Sequence, residues 1–255
     1  MSESLPERLT VGEGAAAREI AVRHRAGGSP GLLWLGGFRS DMAGTKAVAL
    51  DAFAAACRLA ATRFDYSGHG ESGGDFTQGT ISRWLEEARA GFERRGGAGT
   101  IVVGSSMGGW LALLLAEAVR ETTPVGGLLL IAPAVDMTRA LMWERWPKKA
   151  RKELTDTGVY REPTPYSDEP YLITRALIED GDRHLFGDRL IAVGCPVHIL
   201  QGAKDAEVPW RHAEQLVTRL ASDDVVFTLV KDGDHRLSRP EDIALIERAL
   251  TGLIG

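Results

Sequence analysis

The chain has little that points to a membrane, a metal or a nucleic acid. It contains only two cysteines, Cys57 and Cys195, which lie in apolar patterns without C-x-x-C spacing. We therefore expect buried, reduced thiols rather than a redox pair or a metal site. A continuous run of about 18 apolar residues is missing, so integral membrane association is not expected. The formal net charge of −5 argues against a nucleic-acid partner.

The amino-terminal residues also lack the apolar stretch of a secretory signal, and the expected location is therefore the cytoplasm. Internal repeats and low-complexity tracts are absent from the sequence as well. With 44% hydrophobic residues the chain can bury one sizeable core, and we expect a single domain over residues 1–255. The composition carries no information about oligomeric state.

What the sequence does contain is an alternation of strand-like and helix-like patterns. This alternation is typical of an α/β fold with a mostly parallel, twisted sheet and helices on both faces. An irregular segment at 134–194 follows the sixth strand, and we expect it to form a small helical cap. The other predicted elements are a hairpin near 9–23, strands near 31–35, 61–66, 100–103, 127–132, 196–201 and 225–230, helices near 45–60, 80–94 and 210–221, and a closing helix.

A strand-to-helix junction near residue 105 carries the most informative motif. An apolar, β-branched run breaks into Gly104-x-Ser106-x-Gly108 and is followed by apolar residues at helical spacing. This context is typical of a nucleophile elbow, a sharp turn whose flanking positions must be small because the backbone folds back on itself. Ser106 is the candidate nucleophile rather than Ser105, because only Ser106 has glycine two positions away on both sides.

A serine hydroxyl is a weak nucleophile, so this interpretation requires a histidine base and a carboxylate, in the chain order Ser, Asp, His. Asp205 follows the predicted strand at 196–201, and His235 follows the strand at 225–230. Both lie beyond the carboxyl end of a strand, so the three side chains can meet at one sheet edge. Asp136 is an alternative acid, but the loop of Asp205 comes later, nearer the histidine loop.

The remaining acidic and histidine candidates have simpler interpretations. Asp232 and Asp234 are expected to shape the turn that carries the histidine. His198 alternates within a strand and is expected to be a packed interior group. His212 lies on the helix after Pro209, where we expect it on the solvated face.

Stabilising an oxyanion requires two backbone N–H groups, one from the residue after the nucleophile and one from a loop after an early strand. Met107 supplies the first group. The strand at 31–35 ends in Gly36 and Gly37, so we assign the second donor to Phe38. Glycine allows a close backbone approach, although the same two glycines are also compatible with an ordinary tight turn.

A second glycine pattern, Gly68-His-Gly70-Glu-Ser-Gly73, matches G-x-G-x-x-G but lacks the helix that must open within a dinucleotide-binding motif. We expect a structural turn there, and no cofactor or metal.

The cap segment contains two tryptophans, Trp143 and Trp146, that could line an acyl pocket or pin the cap onto the domain. The sequence leaves both interpretations open. The basic run at 148–152 could attract an anionic substrate, but a solvated helix face is favoured.

Together, these motifs resemble the α/β-hydrolase superfamily over nearly the whole chain. The resemblance extends beyond the candidate triad. It includes stretches similar to those of mammalian mitochondrial thioesterases that remove palmitoyl groups from protein cysteines and hydrolyse drug acyl-glucuronides. These stretches begin at Gly37, Arg63, Gly104 and Asp234.

The resemblance implies Ser106, Asp205 and His235 as a catalytic triad and a small-molecule ester or thioester as the substrate. The corresponding mechanism passes through an acyl-enzyme. An organelle-targeting extension like that of the mammalian enzymes is not expected, in line with the cytoplasmic expectation. Two alternatives on the same fold are a non-catalytic ligand-binding protein and a cofactor-free perhydrolase or lyase, because fold does not dictate function.

Overall fold

The computed structural model describes residues 5–164 and 168–255. Its strands are β1 (Glu7–Val11), β2 (Arg18–Arg25), β3 (Gly28–Leu35), β4 (Leu59–Phe64), β5 (Ile101–Ser105), β6 (Gly127–Ile131), β7 (Val159–Glu162), β8 (Tyr171–Thr174), β9 (Val197–Gly202) and β10 (Val225–Val230). Its α-helices are α1 (Thr45–Cys57), α2 (Ile81–Arg95), α3 (Met107–Val119), α4 (Lys148–Thr157), α5 (Arg175–Gly181), α6 (Trp210–Arg219) and α7 (Pro240–Ile254).

Eight of these strands form one sheet in the order β1-β2-β4-β3-β5-β6-β9-β10. Strand β2 runs antiparallel to β1 and β4, and the other neighbouring pairs are parallel. The predicted α/β fold with a mostly parallel sheet is therefore confirmed. Parallel neighbours bring their carboxyl ends to the same edge of the sheet, and the loops after β3, β5, β9 and β10 gather at that edge.

The core lies in two layers because side chains alternate across each strand. In β3, Leu33 and Leu35 pack into one hydrophobic cluster, while Leu32 and Trp34 pack into another on the opposite face. Helices α2, α3 and α6 cover the first face, and α1 and α7 cover the second. Both faces of the central strands are thus buried, which explains why their sequences are almost continuously apolar.

The cap segment, residues 134–194, leaves the sheet after β6 and returns before β9. It contains a π-helical stretch (Met137–Trp143), helices α4 and α5, and an antiparallel hairpin of β7 and β8. The small helical cap expected from the sequence therefore contains a short hairpin in addition to its helices. Both hairpin strands are only four residues long, too short for a clear alternating pattern in the sequence.

Asp136 fastens the two ends of the cap segment together. Its carboxylate accepts hydrogen bonds from the backbone N–H groups of Phe186 (2.8 Å) and Gly187 (3.0 Å) and lies 3.5 Å from the Arg219 guanidinium on α6. The residue is buried, so these partners satisfy a charge that water cannot reach. Asp136, the alternative acid in the sequence, therefore holds the cap to the sheet and α6.

Three expectations about single residues need correction. Cys57 is exposed, because it is the last residue of α1 on its solvent side, whereas Cys195 is buried and burial raises the pKa of its thiol to about 12. His212 does not face solvent, since its Nε2 donates to the Val135 carbonyl at 2.8 Å. His198 is half-buried, and its Nε2 lies 3.0 Å from the Thr228 hydroxyl on the neighbouring strand.

In the described residues, no helix combines the length and the apolarity needed to span a lipid bilayer.

Most of the histidines lie in places where a positive charge is unfavourable. Burial is the main cause of a lowered pKa at these positions, because it separates the charged imidazolium from water. The affected residues are His24, His69, His184, His198 and His212.

We expect the free energy of unfolding to fall as pH is lowered from about 6.5 to about 5. In this range the histidines bind protons in the unfolded chain but stay largely neutral in the folded protein, where their pKa values are lower. Acid therefore favours unfolding. Each additional proton bound by the unfolded chain relative to the folded protein changes the free energy of unfolding by about 1.4 kcal/mol per pH unit. Urea denaturation at a series of pH values measures the slope. A free energy of unfolding that stays constant or rises on acidification over this range would contradict the prediction.

Candidate active site

Ser106 lies at the sharp turn between β5 and α3, with φ 55° and ψ −119°, an unusual backbone conformation for a residue with a side chain. A side chain at Gly104 would place its Cβ 2.3 Å from the Gly108 carbonyl oxygen, and one at Gly108 would approach the Leu35 carbonyl oxygen to 2.0 Å. Both positions therefore require glycine. The Ser106 N–H donates to Ile131 on β6 at 2.9 Å, which fixes the turn against the sheet.

The structure brings Ser106, His235 and Asp205 together in one hydrogen-bonded chain. The Nε2 atom of His235 lies 3.1 Å from Ser106 Oγ, and its Nδ1 atom lies 2.8 Å from Asp205 Oδ2. Because an ionised carboxylate only accepts hydrogen bonds, Nδ1 carries the proton and Nε2 is free to accept from the serine hydroxyl. This arrangement can remove a proton from Ser106 as the oxygen attacks an electrophile.

The Asp205 carboxylate is held by several donors. Its Oδ1 accepts from the backbone N–H groups of Glu207 (2.9 Å) and Val208 (2.8 Å), and its Oδ2 accepts from the Gln201 side chain at 3.0 Å. The side chain is fully buried, so its orientation depends on these bonds. Gln201 was not predicted from the sequence, although an amide side chain at the end of an apolar strand is a usable signal.

The loop that carries His235 is shaped by its acidic neighbour, as the sequence analysis predicted. The Asp234 carboxylate accepts from the N–H groups of Arg236 and Leu237, both at 3.0 Å. Asp232 pairs instead with Arg239 at 2.6 Å, just before α7 begins. Both aspartates thus stabilise the turn without contacting Ser106.

Lys46 was missed by the sequence analysis and lies at the same sheet edge. Its Nζ donates to the carbonyl of Arg236, which connects the first turn of α1 to the histidine loop. Burial, with the Arg236 charge nearby, lowers the pKa of Lys46 to about 8. The ammonium group therefore braces the backbone next to His235.

Glu207 is a second carboxylate near the imidazole that the sequence analysis did not single out. Its Oε2 lies 3.5 Å from His235 Nε2, on the ring nitrogen that faces Ser106. The side chain is 45% exposed, so water screens its charge. It stands at the mouth of the site rather than in its buried part.

The two predicted oxyanion donors are the backbone N–H groups of Phe38, which follows Gly37, and Met107, which follows Ser106. Gly37 passes beside Ser106 so closely that a Cβ there would lie 3.3 Å from the serine Cβ. Met107 is the first residue of α3, so its N–H is not used within the helix. Within residues 5–164 and 168–255, neither the Phe38 nor the Met107 N–H has an acceptor. Both groups therefore remain available.

A cavity of about 700 Å³ opens beside Ser106. The cap and the loops at the carboxyl edge of the sheet both contribute side chains to its wall. The apolar side chains from the cap are Ala134, Met137, Leu141, Met142, Trp146, Pro163 and Tyr171. The polar side chains from the loops include Ser40, Asp41, Thr45, Lys46, Glu207, Arg236 and Ser238.

The two cap tryptophans have different surroundings. Trp146 lines the cavity, and its Nε1 donates to Glu162 at 2.6 Å. Trp143 is not among the described residues that line the cavity, so its surroundings favour the second of the two open interpretations, in which it pins the cap onto the domain. It packs on the core between the guanidinium groups of Arg139 (5.8 Å) and Arg151 (6.0 Å).

The glycine pattern at 68–73 and the basic run at 148–152 both have the structural roles expected from the sequence. The glycines at 68–73 form consecutive turns after β4, and the carboxylate of Asp65 accepts from the N–H of Glu71 at 2.8 Å within them. The basic run lies on α4 with Lys148, Lys149 and Lys152 exposed, as favoured in the sequence analysis.

Comparison with known proteins places this site in a family. A family model described as "Alpha/beta hydrolase family" matches residues 25–244. The human protein named "Palmitoyl-protein thioesterase ABHD10, mitochondrial" is 34% identical over 236 residues, which is 92% of this chain and 76% of the human protein. Its name gives a mitochondrial location, so the relatives do not support the cytoplasmic expectation.

Solved structures agree with this relationship. A protein from Agrobacterium vitis S4, assigned to the hydrolases, is 49% identical and superposes with a TM-score of 0.94 over 98% of both chains. The alpha/beta hydrolase domain-containing protein 10 from mouse is 33% identical, with a TM-score of 0.87 over 97% of this chain and 98% of the mouse chain. By sequence and by fold, the chain belongs to the α/β-hydrolase family.

Proposed function

We propose that the protein is a serine hydrolase that cleaves carboxylic ester or thioester bonds of acyl substrates. The observation that carries the proposal is the chain of short contacts from a fully buried carboxylate to a serine hydroxyl through one imidazole. Relatives named palmitoyl-protein thioesterases support an acyl group as the part of the substrate that is transferred.

In the acylation step, Ser106 Oγ attacks the carbonyl carbon while His235 Nε2 takes the hydroxyl proton. Asp205 keeps the proton on Nδ1 and stabilises the imidazolium that forms. The N–H groups of Phe38 and Met107 donate hydrogen bonds to the negatively charged oxygen that forms. His235 then gives its proton to the departing alcohol or thiol, which leaves an acyl group on Ser106.

In the deacylation step, water replaces the leaving group beside the imidazole. His235 removes a proton from the water, whose oxygen attacks the acyl carbon, and the same two N–H groups hold the second oxyanion. Collapse of this intermediate returns the proton to Ser106 and releases a carboxylic acid. The cavity volume of about 700 Å³ leaves room for an acyl group larger than acetyl.

Replacing the nucleophile tests the proposed function directly. We expect Ser106→Ala to lower kcat for a p-nitrophenyl ester by about 10⁴-fold or more and to abolish labelling by a fluorophosphonate probe. Ser222→Ala, in the loop before β10, is the matched control and should retain both. Turnover of wild-type protein that persists in Ser106→Ala, or a wild-type protein that neither reacts nor labels, would reject the proposal.

The two cap tryptophans allow a matched test of acyl recognition. We expect Trp146→Ala to lower kcat/KM more for long acyl chains than for short ones, because it removes apolar surface from the cavity wall. In the wild type, each added methylene should raise kcat/KM by up to about fourfold until the cavity is filled. Trp143→Ala should leave the dependence on chain length unchanged. Measuring kcat/KM for a series of p-nitrophenyl esters and acyl thioesters of increasing chain length gives this dependence. If both variants changed it equally, Trp146 would not be the tryptophan that contacts the acyl chain.

A further inference from the structure

We propose that His69 is a positioning residue for the oxyanion site, because its imidazole holds the loop that carries the Phe38 N–H. The inference rests on the proposed function, since an oxyanion forms only if Ser106 attacks a carbonyl. His69 does not touch Ser106, and it belongs to the glycine pattern at 68–73 that has no part in the mechanism above. It acts by accepting one hydrogen bond from the backbone N–H of Arg39, which follows Phe38.

The first observation is how the imidazole is bonded. The backbone N–H of Arg39 donates to His69 Nε2 at 3.2 Å, and His69 Nδ1 lies 3.2 Å from the Ser67 carbonyl. An acceptor at Nε2 and a donor at Nδ1 require the neutral ring with its proton on Nδ1. Burial, with a smaller effect of the Arg39 charge, lowers the pKa of His69 to about 4, so the ring keeps this form at neutral pH.

The second observation is the position of the bonded peptide. Phe38 lies between Gly37, which passes beside Ser106, and Arg39, whose N–H His69 accepts. Arg39 has a positive φ of 58°, which a residue with a side chain adopts only when its surroundings hold it. A backbone donor works on an oxyanion only within a few tenths of an ångström of its best position. The bond to His69 fixes the peptide immediately after the donor.

The third observation is that one aromatic cluster holds both partners. The His69 ring packs edge-on against Phe76 (5.1 Å between centroids) and Trp84 (5.3 Å). The Phe38 ring packs on the same two side chains, at 5.0 Å and 6.0 Å. His69 is 4% exposed, so its ring cannot shift without disturbing this cluster. The cluster therefore gives the hydrogen bond a rigid base.

Three substitutions separate positioning from packing. His69→Phe keeps an aromatic ring and removes the acceptor. In His69→Gln, the side-chain carbonyl oxygen can occupy the place of Nε2 and accept from the Arg39 N–H. The shorter side chain in His69→Asn can replace only Nδ1, which faces the Ser67 carbonyl. His198→Phe is the control, because it removes another hydrogen-bonded imidazole, half-buried on β9, that does not line the cavity beside Ser106.

We expect His69→Phe and His69→Asn to lower kcat by about 10-fold to 100-fold with KM within about twofold, and His69→Gln to recover part of the loss. A trifluoromethyl ketone with the same acyl chain forms a tetrahedral oxyanion on Ser106. Its affinity should fall by the same factor as kcat/KM. His198→Phe should change neither value. Thermal melting of every variant reports any loss of stability separately.

A purely structural histidine gives a different pattern. If the His69 variants melt earlier but keep the wild-type kcat and trifluoromethyl ketone affinity, the inference is overturned. If His69→Phe does not fold, equal kcat values for His69→Asn and His69→Gln overturn it as well. Failure of the proposed function is distinguishable, because wild-type protein would then show no turnover that depends on Ser106.

Discussion

The turn at Ser106 is the constraint on which the site depends. Its backbone lies so close to β3 that a Cβ atom at Gly108 would collide with the Leu35 carbonyl oxygen, and no side chain fits there. This close packing has two consequences. It leaves Ser106 in a strained conformation at the edge of the sheet, and it starts α3 directly after the serine, where the first N–H groups of a helix have no partners within it. The same geometry thus presents the hydroxyl and one predicted oxyanion donor together.

The cap is joined to this edge at two places that matter for the chemistry. Arg145 in the cap donates to the carbonyls of Ala206 (3.1 Å) and Glu207 (2.5 Å), in the loop that carries Asp205. Tyr171 on β8 packs edge-on against Phe38 at 6.2 Å, on the loop that carries the other predicted donor. The cap wall of the cavity therefore contacts the two loops that carry Asp205 and Phe38, so that in the proposed function substrate binding and catalytic geometry share contacts.

Much of the fold and the central part of the site could be predicted from the sequence. Apolar strands of the parallel sheet alternate with amphipathic helices, and the elements differ from the predicted ones mainly at their ends, as at β3, which begins at Gly28 rather than Gly31. The candidate triad could be proposed because each member follows a strand, and parallel strands place those positions at one edge. The predicted positions of His212 and Cys57 were wrong, and the sequence left the role of Trp143 open. The side of an irregular or short helix that faces the core depends on packing against elements far away in the chain.

The sequence by itself determined the strand–turn–helix around Ser106, the order of Ser106, Asp205 and His235 along the chain, and the alternation that builds a parallel sheet. These are local properties, because they follow from glycine's lack of a side chain and from short-range apolar periodicity. Only the tertiary structure decided that Gln201 orients the acid, that Lys46 braces the histidine loop, and that His69 bonds to Arg39 thirty residues earlier. Such contacts join residues with no shared periodicity, and they exist only because folding removes these polar groups from water and makes them satisfy one another.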